Sequence, residues 1–262
     1  MVDLFQQAKE IVLEAGIMLL NAFSEEKKVS TKSIHYDLVT ETDKGIEAFL
    51  IERLKTVCPG SKFLAEESDA QHKTAEKLWI IDPIDGTTNF VHKFPFSCIS
   101  VAYMLHGQLK YGYVYNPMMN EFYTAQRGKG AYLNDHKICV SGESDFSKTF
   151  LATGFFYDFT NAKVDNVSVF RSMLSQVHAI RRAGSAALDL CYVAKGVFDG
   201  YWEFYLNPWD VCAGILIVQE AGGTVTGSAL KEWSFSDELI VASNGAIHQE
   251  LFNQINSITQ KK

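Results

Sequence analysis

Apolar residues along this chain recur with two distinct periods. Near the start, Leu4, Ala8, Ile11, Ala15, Met18, Leu19 and Ala22 fall three and four apart. That is the spacing of one buried helix face, and it predicts a helix over about residues 3–23. A polar stretch, 24–36, follows with Lys27, Lys28 and Lys32, and reads as a mobile loop or a loose hairpin. Ile46, Phe49, Leu50, Leu54 and Val57 then give one apolar face to a second helix, stopped by Pro59 and Gly60. Asp43 sits near its start.

The period then shortens. Residues 63–65 and 78–82 read as strands, and 97–140 as a β-meander with runs ISVAYML, LKYGYVYN, EFYTAQ and GAYLN. Turn signals at His106 and Gly107, Asn116 and Pro117, and 128–130 separate these runs. Beyond a short polar stretch at 141–147, strands alternate with helices. Strands are predicted at 150–153, 178–180, 199–203 and 239–242, and helices at 164–177, 184–195, 208–221 and 247–258. The helix at 208 has Pro in its first turn and Gly222 and Gly223 past its end. The pattern predicts two domains. Residues 1–142 form an α+β unit with an antiparallel sheet, and 143–262 a mixed α/β unit.

Composition narrows the class. The chain has 262 residues, 47% apolar and 21% charged, as in ordinary globular proteins. A net charge of −7, with no Lys/Arg run beyond two residues, argues against a nucleic-acid partner. It leaves anionic substrates open, because metal ions supply local positive charge. No stretch approaches the ~20 apolar residues that span a membrane, and the first residues lack the pattern of a signal peptide. Five scattered cysteines without a CxxC read as small buried hydrophobes in a reducing compartment, so a cytoplasmic location is expected.

The candidate chemistry lies in 78–92, LWIIDPIDGTTNFVH. An apolar strand ends on two acids, Asp82 and Asp85, and then on Gly86, Thr87 and Thr88. Carboxylates suit Mg²⁺, and N–H groups opening a helix receive anionic oxygens. The same letters also fit an acidic turn with Asp85 capping a short helix. Four other acids stand out: Asp43, Glu66, Glu67 and Asp210. Each has an ordinary alternative, as a helix-terminal or solvated charge. Trp209 beside Asp210 points to burial, and a buried carboxylate needs a partner. Arg181 and Arg182 are candidates for phosphate contact, a subunit interface or a solvated pair. Asp189 and Asp199 read as structural.

Several motifs now coincide. LWIIDPIDGTTNF, the Glu–Glu–Ser at 66–68, DLVTETD upstream and PWDVCAGILIVQEAGG downstream resemble the inositol monophosphatase family of Mg²⁺-dependent, lithium-sensitive phosphatases. The resemblance spans essentially the whole chain and implies the sugar phosphatase fold, a layered αβαβα sandwich. It implies Glu66, Asp82, the Ile84 carbonyl and the Thr87 hydroxyl as ligands of a first ion. Asp82, Asp85 and Asp210 are implied for a second, with Asp82 bridging. Glu66 would also hold waters of a weaker third ion. Asp43, paired with the Thr87 hydroxyl, would orient the attacking water, so Asp43, Glu66 and Thr87 are the implied catalytic residues. Asp85, Gly86, Thr87, Gly184, Ser185, Ala186, Glu203 and a mobile-loop Lys32 are implied for the substrate.

The implied reaction is hydrolysis of myo-inositol monophosphate to inositol and phosphate by metal-activated water. Such esters are dianions that repel nucleophiles and hydrolyse very slowly unaided. Alternatives keep this chemistry on fructose 1,6-bisphosphate or the NADP 2′-phosphate. A further alternative is a regulatory binding protein with secondary catalysis. The resemblance also implies a homodimer.

Overall fold

The computed structural model describes residues 3–25, 29–31, 38–68, 75–156, 164 and 166–259. In chain order the elements are α1 (Leu4–Phe23), β1 (Val29–Thr31), β2 (Leu38–Thr40), α2 (Glu41–Val57), β3 (Lys62–Ala65), β4 (Lys77–Asp85) and α3 (Thr87–Val91). A meander follows: β5 (Cys98–Leu105), β6 (Gln108–Asn116), β7 (Glu121–Gln126), β8 (Gly130–Leu133) and β9 (His136–Lys137). After a 3₁₀ turn at Phe146–Lys148 come β10 (Phe150–Thr153), α4 (Asn166–Met173), β11 (Ala179–Arg181), α5 (Ala186–Ala194) and β12 (Gly200–Phe204). The last elements are α6 (Pro208–Glu220), β13 (Thr224–Thr226), β14 (Leu239–Ser243) and α7 (His248–Thr259).

Among the described residues these strands form a β1–β2 pair and two larger sheets. One runs β3 to β9 in sequence order, the other β11-β10-β12-β14-β13. Side-chain alternation sorts the core into layers. On β4, Trp79 and Ile81 pack with Ile11, Leu19, Leu50 and Leu54 of α1 and α2. Leu78 and Ile80, on the opposite face, pack with Leu188 of α5 and Leu216 of α6. In the second sheet Tyr201 and Ala242 face that same middle layer. Trp202 and Val241 turn outward onto Val169 of α4 and Leu251 of α7. The result is the expected αβαβα sandwich, the sugar phosphatase fold. α5 and α6 are buried on nearly all sides, which explains their almost continuous apolar sequence. We propose 1–142 and 143–262 as two units that share this middle core.

Several expectations need correction. The first sheet is not wholly antiparallel, because β3 pairs parallel to β4. The helix expected at 164–177 is shorter: α4 spans Asn166–Met173, and Val177, beyond its end, is still buried in the same cluster as Val169 and Met173. β13 went unforeseen because its residues, Thr224–Thr226, lie between Gly223 and Gly227, which read as turn. Cys139 is exposed, unlike the other four cysteines. Lys27, Lys28 and Lys32 lie outside the described residues. No helix among the described residues is long and apolar enough to cross a membrane.

α7 is tied to the second sheet by a buried imidazole. His248 Nε2 lies 2.9 Å from Thr226 Oγ1, and Nδ1 lies 2.9 Å from Ser243 Oγ. Burial pushes its pKa down to about 4 from 6.5. The neutral ring is the form that packs. Its stabilisation is therefore complete above pH 6.5 and is lost as the pH falls toward 4. Between pH 7 and 4 the wild-type chain should lose about 1–3 kcal/mol more than His248→Asn, which cannot take up that proton. Paired denaturant melts at the two pH values measure this, and parallel losses would show that His248 does not titrate on unfolding.

Candidate active site

Parallel pairing of β3 with β4 begins the site. Ala65 pairs with Ile81, so Glu66, the first residue past the end of β3, is brought beside Asp82, which lies within β4. The Glu66 N–H donates to the Ile81 carbonyl (3.3 Å), and the Glu67 N–H to Glu47 Oε2 (2.8 Å). Glu47, a buried acid of α2, thereby pins the segment that carries Glu66.

The register of β4 on β5 slips between Asp82 and Asp85. This irregularity turns both acids toward one space, although a regular strand would face residues three apart oppositely. Asp82 Oδ1 accepts the Ile84 N–H at 2.9 Å. Gly86, at φ +87, then redirects the chain into α3. A Cβ there would approach the Phe96 and Gly184 carbonyls at 3.0 Å, so both the turn and the close packing require glycine.

Asp43 serves as both a cap and a site residue. Thr40 and Asp43 form a reciprocal capping box at the start of α2, with the Thr40 N–H donating to Asp43 Oδ2 (2.9 Å). The other oxygen, Oδ1, faces the Thr87 hydroxyl at 3.2 Å, and that hydroxyl also lies 3.0 Å from the Ile84 carbonyl oxygen. The hydroxyl has one proton to give. Committing it to Asp43 leaves the Ile84 carbonyl and the Thr87 lone pairs free for a cation.

Asp85 does not cap α3, whose first turn begins at Gly86 without a side-chain cap. Its Oδ2 instead accepts from Ser185 Oγ (2.6 Å) and the Ala187 N–H (2.7 Å), capping α5 from a hundred residues away. Asn89 holds the two helix starts together by donating to the Phe96 (2.7 Å) and Ala183 (2.8 Å) carbonyls. Sequence reasoning passed over Asn89, although it lies inside the TTNF run.

Asp210 enters from α6 as part of a capping box with Asn207, whose N–H donates to Asp210 Oδ2 at 2.6 Å. Glu203 enters from β12. The Tyr201 hydroxyl donates to its Oε2, and the carboxylate lies over Gly154, where a Cβ would come within 2.0 Å of it.

Together these groups line a cleft of about 330 Å³. Glu66, Asp82, Ile84, Asp85, Gly86, Thr87 and Asp210 line it, as do Gly184, Ser185, Ala186 and Glu203. Asp43 is fully buried, in contact with Thr87. Lys32 lies outside the described residues. Of the two arginines, Arg182 reaches the cleft, while Arg181 stacks over Phe150 at 4.8 Å.

The electrostatics are those of a crowded anionic site. Burial, then the charges of Glu66, Asp85 and Asp210, push Asp82 well above the usual carboxylate range. Burial raises Asp85 to about 6 against the opposing hydrogen bonds from Ser185 and Ala187. Asp210 is raised by burial and by Glu66 and Asp85. Burial also raises Asp43. Cys98 lies 3.9 Å from Asp85 and 3.7 Å from Ser185, and burial pushes its thiol up, away from a nucleophilic role. Among the described residues no group of three or more His, Cys, Asp or Glu side chains is gathered as a ready-made metal cage. The donor set still fits a hard cation. Its donors are all oxygen, and bound positive charge would relieve the repulsion that raises these acids.

The inositol monophosphatase family model matches residues 2–260. The chain belongs to the inositol monophosphatase family. It is 41% identical over 254 residues to an inositol-1-monophosphatase of Synechocystis, covering 97% of this chain and 88% of the relative. It is also 41% identical over 240 residues to a putative Nus factor SuhB of Neisseria meningitidis, covering 90% and 92%. The solved inositol monophosphatase of Anabaena superposes with a TM-score of 0.88 at 36% identity, covering 97% of this chain and 95% of that one. As a member of this family the protein is a phosphoric monoester hydrolase.

Proposed function

We propose that this family member hydrolyses myo-inositol monophosphate to inositol and phosphate with Mg²⁺. The observation that carries the reading is the division of the cleft. Glu66, Asp82, Asp85 and Asp210 form an acidic group, while Glu203 reaches the same space from the second sheet. Glu66, Asp82, the Ile84 carbonyl and Thr87 would hold one ion, Asp82, Asp85 and Asp210 another, and Glu66 the waters of a third. Bound Mg²⁺ supplies positive charge to the phosphate dianion and acidifies water. The Asp43–Thr87 pair orients the attacking water. The Gly86 and Thr87 amides, with the start of α5 at Gly184, Ser185 and Ala186, hold phosphate and ring oxygens in line. Lithium sensitivity, a homodimer, a cytoplasmic location and a role for Lys32 are proposed on the same family resemblance.

A phosphate-release panel with Mg²⁺ over inositol, sugar and nucleotide phosphates tests the substrate. The highest kcat/KM is expected for inositol 1-phosphate. A higher value for fructose 1,6-bisphosphate or NADP would transfer the same chemistry to that ester. Glu203 should govern this choice. It is held by Tyr201, and burial raises its pKa to about 7. Glu203→Gln is expected to raise KM for inositol 1-phosphate about tenfold, the scale of one lost charge-assisted hydrogen bond, with a smaller change for p-nitrophenyl phosphate. Equal changes for both esters would place Glu203 among the phosphate-handling groups instead. The name of the Neisseria relative motivates a second reading, a regulatory binding protein. The converging acids favour hydrolysis, because a binding surface needs no such costly buried cluster.

A further inference from the structure

We propose that Asp189 is a specificity-determining residue, whose carboxyl on the cleft wall near Glu203 accepts a hydrogen bond from a hydroxyl of the phosphate-bearing ring. This deepens the substrate reading above and rests on it. Asp189 lies one helical turn beyond Ser185 on α5, so the two share a face. Ser185 faces the cleft and bonds Asp85, and Asp189 lines the same cleft. Every other residue of α5 is apolar, which makes a carboxyl group costly there.

Asp189 is 1% exposed, and its Oδ1 has no hydrogen-bond partner. Orphaned buried acceptors are rare and destabilising, so one on a cleft wall calls for a donor that arrives with the ligand. Asp199 shows the contrast. That acid is purely structural, its Oδ1 accepting from Ser141 Oγ (2.5 Å) and its Oδ2 from the Phe150 N–H (2.7 Å). Asp189 shares the cleft lining with Glu203, Asp85 and Arg182, and after burial these are the groups whose charges act on it. Glu203 already spends Oε2 on Tyr201, so a polyol with several donors has use for a second acceptor.

The test uses Asp189→Asn and Asp189→Leu in the full chain with saturating Mg²⁺. It measures kcat and KM for inositol 1-phosphate and p-nitrophenyl phosphate, with melting temperature alongside. The ratio of the two kcat/KM values should fall at least about tenfold in Asp189→Leu, chiefly through KM. Asp189→Asn should fall less, since its amide oxygen still accepts. Melting temperature should hold or rise in Asp189→Asn, because an unpaired buried acid is removed. An unchanged ratio in both variants, with or without loss of melting temperature, would overturn the proposal. If the wild type hydrolyses p-nitrophenyl phosphate but not inositol 1-phosphate, the substrate reading falls. The same ratio is then taken with the best polyol phosphate of the panel, and it decides the role of Asp189 separately.

Discussion

Asp82→Asn is expected to lower kcat by about 10³-fold, the scale of removing one well-placed electrostatic group from an active site. Asp82 is buried in β4 just past the end of β3, and Glu66, Asp85 and Asp210 all act on it. Replacing it should weaken both proposed ion sites at once. The fold should survive, since an Asn side-chain oxygen can still accept the Ile84 N–H that now reaches Asp82 Oδ1. In the presence of chelator the variant should melt no lower than wild type, because a repelled buried charge is gone. Steady-state kinetics beside a thermal melt separate the two effects. Turnover within tenfold of wild type would make Asp82 a structural acid.

Excess chelator is expected to abolish phosphate release, and added Mg²⁺ to restore it. The all-oxygen donor set has no soft ligand that would retain zinc against a chelator. A second readout does not depend on activity. An ion that binds only the folded chain stabilises it by about 2.7 kcal/mol at a hundred times its dissociation constant. Melting temperature should therefore rise with Mg²⁺ in wild type and much less in Asp82→Asn. Full turnover in EDTA would remove the metal from the mechanism.

Much of this protein was legible in one dimension. Long amphipathic stretches such as α1 and α2 were readable because one face of each is buried and the other wet, and that asymmetry is written at 3.6-residue spacing. The meander was readable because turn residues punctuate alternating strands. The acids of 82–85, Glu66 and Asp210 stood out because carboxylates beside apolar residues at element ends are uncommon and costly. Short elements escaped. β13 is hidden between Gly223 and Gly227, and the apolar positions Val169, Met173 and Val177 continue past the end of α4, so spacing alone overran that helix.

The contacts between distant residues belong to the tertiary structure alone. The ordinary alternative for Asp85, a cap for the helix beside it, is not what forms: it caps α5, because the slipped register of β4 turns it toward Ser185 and Ala187. Glu66 became a neighbour of Asp82 only through the parallel pairing of β3 with β4. Asp189 and Asp199 look alike in sequence, each a single acid among apolar residues. Packing gave Asp199 two donors and left Asp189 Oδ1 with none. The local pattern determined which segments are helix or strand and which carboxylates are costly to bury, because those properties depend on residues a few positions apart. Which carboxylates share one cleft was decided by the sandwich, because burial, repulsion and hydrogen-bond supply act through space.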